Sequence, residues 1–141
     1  MGKYQLYTTV IFICLFIPLS LIAQNLTDDQ GRKTGDWRVK YPNGKLHYEA
    51  SFEKGQPVGL MKRYNDMGTM IAEMNFIPNT SRCYTKLFMG GNHLTAEGLY
   101  INQKKDSLWT YYRSDKSVSM TEYYKDDLLH GLMKSYYGSC K

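Results

Sequence analysis

The stretch GDWRVKYPNGKLHYEASFEKG, Gly35 to Gly55, decides how the rest of the chain is read. In its second half Leu46, Tyr48, Ala50 and Phe52 alternate with His47, Glu49 and Ser51. Such alternation marks a half-buried strand and excludes a helix, where positions two apart do not share a face. The first half is looser, with Trp37, Val39 and Tyr41 on one side and Arg38 and Lys40 on the other. Between the halves stands Pro42-Asn43-Gly44-Lys45. Proline fixes φ and Asn-Gly readily takes positive φ, so this is a hairpin turn.

Working outward, the same hairpin recurs every 24 residues. Phe52, Phe76, Tyr100 and Tyr124 keep that interval, as do Leu46, Met70, Leu94 and Val118. So do Trp37, Met61, Thr85, Trp109 and Met133. A glycine or a small residue recurs at Gly35, Gly59, Cys83, Ser107 and Gly131. Turn-type residues recur at Gly31, Gly55, Asn79, Gln103 and Asp127. Further strands are read at Met70-Ala72-Met74-Phe76, Leu94-Ala96-Gly98-Tyr100 and Val118-Met120-Glu122-Tyr124, with turns at Asp66-Met67-Gly68 and Gly90-Gly91-Asn92. Asp115 holds the fourth turn without a glycine, so the turn signal is weaker in that hairpin.

A lone hairpin is marginal in water, so each must rest on the next. The expected fold is all-β: an open single-sheet solenoid of stacked antiparallel β-hairpins, four units from about Gly35 to His130 plus a half unit ending at Lys141. Nine strands about 4.8 Å apart would span roughly 40 Å, with Phe52, Phe76, Tyr100 and Tyr124 as a ladder. A closed barrel or two-sheet sandwich is the competing architecture. The fixed period and the absence of long crossovers favour the open repeat.

The domain plan follows. Residues 1–23 read as a signal peptide, residues 24–34 as a short linker and first turn, and residues 35–141 as the repeat domain. Val10 to Ala23 carries no charge, is too short to span a bilayer core of about 30 Å, and has the length of a secretory h-region. Ala23 supplies a small residue for cleavage before Gln24; an uncleaved anchor over Tyr4 to Ala23 is the alternative, with membrane contact through it. The chain is therefore expected in the periplasm, outer envelope or medium of a bacterium.

With 141 residues, 43% of them hydrophobic, the chain makes one domain and is too apolar to be disordered. Its net charge of +5 is dispersed without a basic block, which argues against a nucleic acid partner.

The unit Gly35 to Gly55, together with GLMKRYNDMGTM at Gly59 to Met70 and GLMKSYYGS at Gly131 to Ser139, resembles the bacterial variant of the MORN-type repeat, found in proteins labelled YwqK-like antitoxins. The resemblance covers about Gly31 to Lys141 and is weakest where Cys83 and Thr85 replace the glycine and aromatic positions. It implies a hairpin solenoid used for protein contact or membrane association. A leader sits poorly with neutralising a cytoplasmic toxin unless the partner is also exported.

Signals for chemistry are sparse. His47, His93 and His130 share no repeat column, and no metal-binding, nucleophile or phosphate-loop motif is present. No catalytic residue, metal or cofactor is expected. Glu49, Glu73 and Glu97 recur on the face opposite the ladder, about 10 Å apart, too wide for one metal ion. They are the candidate partner-facing residues, against the plainer reading of glutamates paired with lysine or arginine on an outer face. Cys83 and Cys140 lie two units apart, beyond disulfide reach in a regular solenoid. The last strand lacks a partner, and Met133, Tyr136 and Tyr137 point to self-association or strand addition there. The expected function is an exported, non-catalytic protein-interaction or scaffold module with a protein partner. An antitoxin-like inhibitor or an unrecognised envelope enzyme are the alternatives.

Overall fold

The computed structural model of the protein describes residues 25–138. Ten strands form one antiparallel sheet in chain order: β1 Leu26–Thr27, β2 Lys33–Lys40, β3 Leu46–Glu53, β4 Gln56–Tyr64, β5 Met70–Phe76, β6 Arg82–Met89, β7 His93–Ile101, β8 Lys104–Tyr112, β9 Val118–Lys125 and β10 Leu128–Ser135. Among the described residues there is no helix, and every strand pairs only with its chain neighbours. The open all-β sheet of stacked hairpins read from the sequence is the fold observed. The leader and Cys140 lie outside the described residues.

Two turn types recur along the sheet, and the β5–β6 connection, residues 77–81, departs from both. Within a unit, Tyr41 N–H donates to the Lys45 carbonyl at 2.8 Å, Asn65 to Thr69 at 2.9 Å and Arg113 to Ser117 at 2.9 Å. The last closes without glycine because Lys116 takes φ 68° and Asp115 Oδ1 accepts the Ser117 N–H at 2.9 Å. Between units, Lys54-Gly55, Asn102-Gln103 and Asp126-Asp127 are two-residue turns with both φ angles positive, the geometry that matches strand twist. The turn column keeps a positive φ throughout: 74° at Gly31, 82° at Gly55, 59° at Asn79, 64° at Gln103 and 69° at Asp127.

The small-residue column sets a second regularity. Gly35, Gly59, Ser107 and Gly131 all have positive φ, and β4, β8 and β10 carry register shifts beside them. Each shift places two extra residues in the bulged strand, and at β8 this carries the Trp109 side chain over Gly98 of the preceding strand. At Cys83 the backbone stays extended and the β5–β6 register runs unbroken. The third unit therefore pairs Thr85 directly with Met74 and Gly98, and Thr85 is buried.

The sheet has ten strands rather than the nine expected, because β1 pairs with β2 through Leu26↔Thr34 and Thr27↔Lys33. The stretch read as linker and first turn thus carries β1 and the start of β2. Trp37 ties β1 down, its indole N–H donating to the Leu26 carbonyl at 3.0 Å.

Candidate functional site

The first face holds the aromatic ladder. Gly35 opposes Phe52, Gly59 opposes Phe76, Cys83 lies between Phe76 and Tyr100, and Ser107 opposes Tyr124. Directly opposed residues share a face, so the four rings occupy one row separated by small residues. Phe52 is buried, whereas Phe76, Tyr100 and Tyr124 are half-buried. Trp109 is the best-buried large side chain, at 0% exposure. Its indole covers Gly98, where a Cβ would lie 2.4 Å from the ring, and its N–H donates to the Leu99 carbonyl at 3.1 Å. Gly131 stands at the bulge of β10.

Two lysines that the sequence reading passed over complete this face. Lys33 Nζ lies 4.6, 5.2 and 4.9 Å from the ring centres of Trp37, Tyr48 and Phe52, and donates to the Tyr48 hydroxyl at 2.6 Å. Lys105 Nζ lies 4.5, 5.4 and 4.8 Å from those of Trp109, Tyr111 and Tyr124, and donates to the Tyr111 hydroxyl at 3.0 Å. Ammonium groups among aromatic faces are held by the ring quadrupoles. The two lysines are three periods apart, so comparison of repeat columns could have found them. Beside Lys105, the Tyr124 hydroxyl donates to Glu122 Oε2 at 2.6 Å. Burial first, then Tyr124 and Glu122, raise the Tyr111 pKa above the ordinary tyrosine value.

The second face carries the glutamates, and they do not stand alone. Register places Arg38 opposite Glu49, Glu49 opposite Lys62, Lys62 opposite Glu73, Glu73 opposite Lys86 and Lys86 opposite Glu97. The result is one row of alternating charge, continued by Thr110, Thr121 and Lys134. Arg38 and Glu49 make an ion pair at 3.3 Å. Glu49 also accepts the Tyr64 hydroxyl at 2.9 Å, and Glu97 accepts that of Tyr112. Glu97 holds the Tyr112 pKa up at about 12. Phe88 stands in the equivalent column for Glu73 and has no hydroxyl to give. Next to the charged row, Leu60, Tyr84, Leu108 and Leu132 repeat every 24 residues and all are exposed. Leu60, Tyr84 and Leu108 help line a shallow groove of about 700 Å³ over the buried Leu99.

The third feature is the edge. Among the described residues β10 bonds to β9 alone, and Leu128, Leu129, Leu132 and Met133 are 72%, 54%, 69% and 55% exposed. Tyr136 and Tyr137 beyond it are also exposed.

His47 stacks on Tyr41 with ring centres 4.3 Å apart, while His93 and His130 lie on other hairpins. Among the described residues no group of three or more His, Cys, Asp or Glu side chains is placed to hold a metal ion. Cys83 is buried and free, and burial pushes its thiol pKa up. Among the described residues no helix is long and apolar enough to cross a membrane.

Nothing matches the chain among curated proteins or among solved structures. The family model described as MORN repeat variant matches residues 33–54, which span β2, its turn and β3. This segment is similar to a repeat type that suggests a repeat-based interaction module.

Proposed function

We propose that the chain is an exported, non-catalytic binding module of the bacterial MORN-variant kind, whose protein partner adds a strand to β10. What supports this reading is the edge itself. Eight residues of β10 are all exposed, with four large apolar side chains among them. An open edge of that kind recruits an extended segment through main-chain hydrogen bonds, and the alternate side chains select it. The apolar run Val10 to Ala23 supports export, because its length and lack of charge suit a cleaved leader.

The test is a photo-crosslinking residue at Leu129 in cells of the bacterium that encodes the chain. The expected result is one polypeptide adduct in the envelope fraction, lost when Leu132→Pro blocks pairing, with a mature N-terminus at Gln24. Adduct formation that survives Leu132→Pro, or protein confined to the cytoplasm, would overturn the reading. A toxin encoded beside the chain, captured as that adduct, would assign the antitoxin-like role within it.

A further inference from the structure

The second face has a symmetry that the β10 edge does not use. Its charged row runs plus, minus, plus, minus, plus, minus from Arg38 to Glu97, then two threonines, then Lys134. A row that alternates sign is complementary to itself when reversed. We infer that this face packs against the same face of a second copy of the chain, about a two-fold axis parallel to the strands along the β6–β7 line.

That axis exchanges β6 with β7, β5 with β8, β4 with β9 and β3 with β10, and it leaves each row opposite itself. Lys86 of one copy then meets Glu97 of the other, and Glu49 meets Lys134. Glu73 meets Thr110 and Lys62 meets Thr121, so no like charges oppose. In the neighbouring row Tyr84, 53% exposed, meets the groove floor at Leu99, and Leu60 meets Tyr123, themselves 48% and 46% exposed. The axis along β4–β5 opposes three unlike pairs, Lys62 with Glu73, Glu49 with Lys86 and Arg38 with Glu97, against two for β6–β7, but it sets Tyr84 against Ser51 and Leu99 against Asp36. The apolar row therefore selects β6–β7.

The area is adequate. Eight strands about 4.8 Å apart and three side-chain rows about 7 Å apart give roughly 700 Å² per copy. The total of about 1,400 Å² falls within the range of stable specific interfaces. Aligned face-to-face packing is a standard arrangement for two sheets, and an interface of this symmetry uses one patch twice. The arrangement leaves the β10 edge free, so it does not depend on the partner proposed there.

The experiment uses sedimentation of the mature full chain and two variants, Lys86→Glu and Glu97→Lys, each checked for folding by circular dichroism. The wild type is expected to be a dimer at micromolar concentration. Each variant alone sets like charges across the axis and is expected to weaken the dimer by about a hundredfold. An equimolar mixture restores it, because the carboxylate introduced in one variant meets the ammonium introduced in the other. Should Glu97→Lys fail to fold, the double variant K86E/E97K serves instead: it must dimerise with itself and not exchange with the wild type. A monomeric wild type, variants that stay dimeric, or a mixture that stays monomeric each overturn the inference. Loss of the dimer in Leu132→Pro without loss in Lys86→Glu would assign self-association to the edge and overturn it as well.

Discussion

At the scale of single residues, packing on the aromatic face rests on glycine meeting tryptophan. The Trp109 ring occupies the space that any side chain at position 98 would need. Gly98→Ala is expected to lower stability by roughly 1–3 kcal/mol through overpacking, read from the urea midpoint. The alternation at Leu94-Ala96-Gly98-Tyr100 placed Gly98 on the correct face, but its reason lies on the next strand and could not be read locally. The Asp106–Lys125 pair makes a pH prediction. The hydrogen bond from Lys125 Nζ at 2.9 Å, then that from Ser107, lower the Asp106 pKa. A lowered folded-state value means that the pair stabilises above the ordinary carboxylate pKa of about 3.9 and fades as pH falls through the lowered one. Lys125→Met is therefore expected to be less stable than wild type at pH 7, with the difference shrinking as the pH falls below the ordinary carboxylate range. Thermal unfolding across that range checks it.

At the scale of elements, the turns separate residues kept for conformation from residues kept for contacts. Gln103 holds φ 64°, a region where a side chain costs about 1 kcal/mol against glycine. Gln103→Gly is expected to raise stability by about 0.5–1 kcal/mol, seen as a higher urea midpoint at unchanged slope. Asp127 occupies the same column at φ 69°, yet its Oδ1 accepts the Lys105 N–H at 2.6 Å. Asp127→Gly is expected to gain nothing, because relief of the backbone is offset by a lost hydrogen bond. The period already aligned these positions at the sequence level. The bulges were not legible, since Ser107 adopts positive φ while Cys83, equally small, does not.

At the scale of the whole molecule, each described strand is hydrogen-bonded only to its chain neighbours, so protection from exchange should follow position in the stack. Amides of β10, bonded on one side only, are expected to exchange before those of β5 to β8 in hydrogen-exchange mass spectrometry. Uniform protection from β2 to β10 would contradict this. If the second face pairs with another copy as inferred, amides of β6 and β7 become the slowest, and Lys86→Glu speeds them selectively.

The sequence alone determined the period, the strand alternation, the turns and the open all-β sheet. These depend on local patterns, two-residue alternation and positive-φ residues, which repetition made visible several times over. It also marked Glu49, Glu73 and Glu97, but without their neighbours. Only the tertiary structure decided that these carboxylates alternate with Arg38, Lys62 and Lys86 in one row, and that Lys33 and Lys105 lie among aromatic rings. Both depend on cross-strand register. Register follows from where each bulge shifts one strand past the next, and the small-residue column alone does not say which of its members will bulge.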